Sequence, residues 1–365
     1  GSSVGGQAVA IGLATLANGS STAIGSHSAA KGSSLAAGDY AVTDGTDSAA
    51  VGLAVVTKGD GSLAMGAGSA VDGDATAAIG LGAEAKGSSS LAMGHTVVVS
   101  SDDSVAIGKD LVVREGADRS VVVGRGIVAG ARGSVQIGYD DRSVEEQLRG
   151  LGALETEINQ YTTSGLLPAA ITGRDGIELG ARSDTAGDYS LTGGYEAVST
   201  RAAVHGIALG TRSKVSAHSG IAIGAESRVS ASHGIAIGRK ANSLGIRSIA
   251  LGAEANAEGR RSVVLGYKAS ASANASDSIA MGTRANSSQE HGISIGTRSQ
   301  AVRSFVAVQV SECNELAQTY TNCASDQSVL GQFMAVPASG SLVIGRDSKS
   351  EQLDSIVLGR GSTTR

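Results

Sequence analysis

Tryptophan is absent from this chain, proline occurs only twice, and aromatic residues make up 2% of it. A thick globular core built around large rings is thereby excluded, and any interior has to be thin and aliphatic. No stretch approaches the roughly 18 uninterrupted apolar residues of a membrane-spanning helix. No signal peptide is visible either, so an export signal or membrane anchor is expected to lie outside these residues. Catalytic and metal-binding signatures are missing as well. There is no His-x-x-x-His, no Cys-x-x-Cys and no Gly-x-x-x-x-Gly-Lys-Ser/Thr. Paired carboxylates such as Asp102-Asp103 and Asp140-Asp141 have no matching acid-base partner. No enzyme activity, cofactor or bound metal is expected. Basic residues are not interleaved with aromatic ones, which argues against nucleic acid as a partner.

What the chain does have is a beat. A glycine follows a short apolar run about every fourteen residues, at 12, 25, 38, 52, 66, 80, 94, 108, 124 and 138, again from 180 to 296, and then at 331, 345 and 359. A fixed period means stacked repeats. Before each marker glycine comes Ser or Gly, a large apolar residue, usually Ala, and another apolar residue, as in Ser62-Leu63-Ala64-Met65-Gly66 and Gly220-Ile221-Ala222-Ile223-Gly224. This reads as a short strand, apolar on both faces. A second strand of small residues alternating with polar ones follows, as at Ser69 and Val71 or Ser227 and Val229. Two strands and two tight turns per fourteen residues predict an all-β, parallel β-roll, lined by one or two Ile, Leu or Met and several Ala or Ser per coil. With coils about 4.8 Å apart, the 22 marker glycines imply a rod on the order of 100 Å long. So thin a core is marginal for one chain. The exposed face of the first strand requires a cover, most economically other copies of the same chain in a symmetric oligomer.

Charge is unevenly spread. The chain carries a net −5, yet residues 200 to 304 hold 13 basic and 5 acidic side chains, a local +8. Two positions after the marker glycine, Arg182, Glu196, Arg212, Glu226, Lys240, Glu254 and Lys268 fall in one column with alternating sign. Alternation gives each charge an opposite neighbour on the adjacent coil and is expected to fix register more than to add stability. It then fails, because Arg284 and Arg298 follow Lys268 with the same sign. Lys268, Arg284 and Arg298 form the candidate ligand-facing basic stripe. Of the six histidines, His27, His95, His205, His218, His233 and His291, most sit at turns, and His205 and His291 share a repeat position. Repetition explains them better than metal ligation.

Two interruptions divide the chain into roll repeats at 1–138, an insertion at 139–178, further repeats at 179–301, a second insertion at 302–327 and last coils at 328–365. In the first insertion Ser143, Val144, Leu148, Leu151, Leu154 and Ile158 predict a short helix, with Asp141 or Ser143 as its cap. The second contains the only cysteines, Cys313 and Cys323, with nine residues between them. A disulfide closing an inserted loop is expected in an oxidising compartment, with about 2–3 kcal/mol of stabilisation.

The repeat resembles the head repeat of trimeric autotransporter adhesins, the YadA-like head, over residues 8–138, 179–301 and 328–361. The resemblance implies a left-handed parallel β-roll in which three chains intertwine, a homotrimer displayed on a Gram-negative outer membrane through an anchor outside this sequence. It further implies attachment to host cells or to matrix proteins such as collagen, fibronectin or laminin, with autoagglutination. A trimeric phage or surface fibre acting as a rigid spacer is the alternative.

Overall fold

The computed structural model describes residues 3–4, 6–142 and 173–301, and the strand segments 308–309, 333–334, 342–344, 349–350, 356–358 and 363–364. One coil shows how the sequence is read. Leu63–Met65 is a three-residue strand, Gly66 and the next two residues turn the chain, and Ala70–Val71 is the second strand. A second turn then leads to Ala77–Ile79, which lies parallel to the first strand with Leu63, Ala64 and Met65 opposite Ala77, Ala78 and Ile79. The second strands stack in the same register, Ala70 on Glu84 and Val71 on Ala85. Equivalent residues fourteen apart are therefore neighbours, as the beat predicts. No helix occurs among the described residues.

Strand alternation decides what is buried, and here the sequence expectation is corrected. In each first strand the middle residue points inward, so the interior column is Ala23, Ala36, Ala50, Ala64, Ala78, Ala92 and Ala106, all fully buried. The larger residues on either side point out, and Ile11, Met65 and Ile107 are exposed. The Leu, Ile and Met side chains of the first strands thus do not line the roll, which is too narrow there for them; Leu111 and Ile127, after the marker glycine, are the buried residues of that size among those described. The interior is completed by Val71, Ala85 and Val99 from the second strands and by the serine or threonine that precedes many of the first strands. Those hydroxyls are satisfied along the stack: Ser62 Oγ donates to the Gly73 carbonyl at 2.9 Å and accepts the Thr76 N–H at 3.1 Å. Where the core widens, at Val97, Leu111 and Val113, the strands lengthen to Leu91–Val99 and Val105–Val113.

Residues Gly1–Gly220 and Ile221–Arg365 form two compact units. In the first, Val135 pairs directly with Ile177, so the insertion leaves the first-strand ladder unbroken. Among the described residues no second strand stands between Val128–Ala129 and Asp184–Thr185. In the second unit, Ile221–Ile223, Ile235–Ile237, Ile249–Leu251, Val263–Leu265, Ile279–Met281 and Ile293–Ile295 stack in register. Leu342 then pairs with Ile293, one coil later than the glycine beat would resume the ladder, and Val308–Gln309 pairs antiparallel with Phe333–Met334. The helix expected from Ser143 onward and the Cys313–Cys323 disulfide lie outside the described residues.

Candidate functional site

The column two positions past each marker glycine sits at a left-handed turn. Arg182, Glu196, Arg212, Glu226, Lys240, Glu254, Lys268, Arg284 and Arg298 all have φ between 53° and 59°. That conformation holds the side chains on the outer edge of the coil.

In the first unit Glu196 sits between Arg212, at 2.7 Å, and Arg182, at 3.7 Å. The hydrogen bond from Arg212 holds the Glu196 carboxyl below its ordinary range. Arg182 also pairs with Asp141 at 2.5 Å and donates to the Tyr195 hydroxyl at 3.2 Å. Asp141, expected as a helix cap, is engaged by Arg182. In the second unit Lys240 meets Glu226 at 3.7 Å and Lys268 meets Glu254 at 3.3 Å. Glu254 takes its other cation from Arg239, at 2.9 Å, one residue before the ladder position. These pairs are open to solvent and screened by it, so they serve register more than stability.

The basic stripe is unevenly free. Lys268 is paired with Glu254 and lies over the Tyr267 ring, 5.2 Å from its centroid. Arg284 has no ion-pair partner among the described residues.

The histidines follow the turns. His205, His233 and His291 all occupy the second left-handed turn of their coils, with φ of 56° to 59°. Three share this place, not two. His27 stacks on Tyr40 at 5.0 Å and His205 on Tyr189 at 5.2 Å. No group able to hold a metal ion occurs among the described residues. Asp102, paired in sequence with Asp103, accepts the Ser88 N–H of the preceding coil at 2.8 Å. Asp60, Asp74 and Asp188 cap Thr46, Asp60 and Arg174 in the same way.

A polar cluster interrupts the alanine column where the first insertion leaves the roll. Gln136 and Glu178 stand opposite each other at that inward position, followed by Thr192. Glu178 accepts from Gln136 at 3.4 Å and from the Thr185 N–H at 3.2 Å. Burial, reinforced by the Asp184 carboxylate, pushes the Glu178 carboxyl up to about 8. Beside it, the Arg142 guanidinium forms a bidentate pair with Asp184 at 2.8 and 2.9 Å and binds Asp140 at 2.6 Å. The signal for this cluster was legible as the loss of alanine at successive repeats. Its partners from the adjoining turn were not.

The family model for the YadA head domain repeat matches residues 85–110, 203–227, 230–255, 257–276 and 273–299. No curated protein matches the chain. Among solved structures, the collagen-binding domain of the Yersinia adhesin YadA is similar, at 18% identity over 65% of this chain and 82% of that chain, with a TM-score of 0.19. The matched segments contain the same coils whose strands and marker glycines are described above, so over those residues the coils match the YadA head domain repeat.

Proposed function

We propose that this chain is the head of a trimeric, left-handed β-roll adhesin, carried as a passenger on a Gram-negative outer membrane. On this reading it attaches the cell to host surfaces or to matrix proteins of the collagen, fibronectin or laminin class, and promotes autoagglutination. The observation that carries the reading is the run of YadA head repeats, whose large apolar side chains face outward. Ile11, Met65 and Ile107 in the first unit and Ile223, Ile237 and Met281 in the second belong to that outward face. Two further copies of the chain are the cover that closes it. Attachment then arises from avidity: three copies of each surface strip, repeated coil after coil, raise binding by roughly 10² to 10⁴ without a deep pocket.

Lys268, Arg284 and Arg298 are the strip proposed to meet acidic ligand surfaces. Light scattering on the purified chain is expected to give a trimeric mass, and immobilised matrix proteins are expected to retain it. A stable monomer removes the assembly. A trimer that binds no matrix protein leaves the rigid-spacer reading.

A further inference from the structure

Three coils of the roll run sixteen residues between marker glycines instead of fourteen, and the first of them spans Gly108 to Gly124. Its longer second turn, Arg114 to Arg119, stands over the turns of the next two coils. Two adjoining clefts result. One, of about 450 Å³, is lined by Arg114, Glu115, Gly130, Arg132 and Arg174 among others. The other, of about 540 Å³, is lined by Arg119, Arg132, Gly133, Arg174, Asp175 and Tyr189. Arg132 and Arg174 form the shared wall.

These two arginines are forced together by register. Val135 pairs with Ile177, forty-two residues on, and Arg132 and Arg174 stand in the same relation. Like charges on neighbouring coils repel, and the Asp175 and Glu115 carboxylates that share the clefts form no ion pair with them. The Asp188 carboxylate accepts the Arg174 N–H at 2.8 Å and that of Asp118 accepts the Asp102 N–H at 3.2 Å. Arg119, Arg132 and Arg174 are exposed and form no ion pair with any described residue.

The rest of the lining is not that of a simple ion site. Asp175 and Glu115 offer carboxylates that accept from hydroxyls, and the exposed Tyr189 ring, stacked on His205, offers a flat apolar face. Guanidinium forks for anionic oxygens, carboxylates for hydroxyls and a ring for stacking together match a sugar bearing acidic groups. The two clefts, which share Arg132 and Arg174 and are lined by turns of successive coils, suit a linear chain of such sugars. We propose that this arginine-lined double cleft binds a sulfated polysaccharide of the glycosaminoglycan type. The site lies within one unit of one chain and does not rest on the attachment reading above.

The test is titration of the full chain with a heparin-type hexasaccharide at about 150 mM ionic strength. Saturable binding is expected. The triple variant R119Q/R132Q/R174Q should weaken it by about tenfold or more, with thermal melts confirming the fold. Should that variant fail to fold, Tyr189→Ala, which keeps every charge, should still weaken it several-fold. Reversing Arg284 and Arg298 to Glu should leave it unchanged. The proposal is overturned by absent binding, by binding insensitive to the cleft variants, or by binding that moves with Arg284 and Arg298. Equal affinity for unsulfated hyaluronan, or for inorganic sulfate alone, also overturns it. Loss of matrix-protein attachment with hexasaccharide binding intact would count against the proposed function only.

Discussion

At the scale of single residues the marker glycine is a contact requirement as much as a turn. Gly94 has φ of 135°, and a Cβ placed there would overlap the carbonyl oxygen of Gly108 on the next coil. Gly82 has φ of 62° and open space where its Cβ would be. Alanine already occupies the equivalent turn position at Ala54, with φ of 53°. Gly94→Ala is therefore expected to destabilise by about 4 kcal/mol or more, and Gly82→Ala by only about 1 kcal/mol, as read from urea melts. The beat revealed which glycines matter. It did not reveal why, because the obstructing atom belongs to a residue thirteen or more positions away. For the same reason Arg182 could be placed in its column from sequence, while its pairing with Asp141 could not, since the insertion separates them.

At the scale of the strand and its turn, the polar cluster at Gln136 and Glu178 sets a pH dependence. In the unfolded chain the Glu178 carboxyl loses its proton near 4.5, whereas in the folded chain it keeps it up to about 8. The unfolded state thus releases a proton first, and stability falls as pH rises from about 4.5 to about 8. Burial raises Asp184 as well, with Arg142 opposing it, so its contribution has the same sign. Gln136, Ser183, Thr185 and the Arg142 pairs with Asp140 and Asp184 are polar groups around it. Glu178→Gln is expected to flatten the slope of melting temperature against pH across that window. A slope unchanged in the variant would assign the titration elsewhere. The adjacent alanine column allows a second check: Ala92 is fully buried, so Ala92→Leu overpacks the roll by about 1–3 kcal/mol or more. Strand order and register were readable because period two within the strand and period fourteen along the chain are both visible in the letters. Which face is inside was not. Apolar residues occupy both faces of the first strand, and coil width, not hydrophobicity, sends alanine inward and isoleucine outward.

At the scale of the whole molecule, the outward apolar columns are what the proposed trimer has to cover. Ile223 and Ile237 are 37% and 39% exposed in the single chain and lie on neighbouring coils. Covering an isoleucine of this kind contributes roughly 1.5–3 kcal/mol. The pair Ile223→Asp and Ile237→Asp should therefore raise the dissociation constant of the proposed trimer by about tenfold or more, seen as a shift toward smaller species in sedimentation. The interior of each coil, lined by Ala222 and Ala236, is untouched by those changes, so far-ultraviolet circular dichroism should retain its strand signal.

The bypass of the first insertion has a practical corollary. Because Val135 meets Ile177 as it would meet a neighbour one coil away, the first-strand ladder closes without the stretch between Arg142 and Gly173. Lengthening a connection between two fixed ends carries an entropic penalty that grows only logarithmically. The junction is accordingly a splice point: foreign peptides grafted there should leave the periodic code of the ladder intact, making the chain a ready chassis for display.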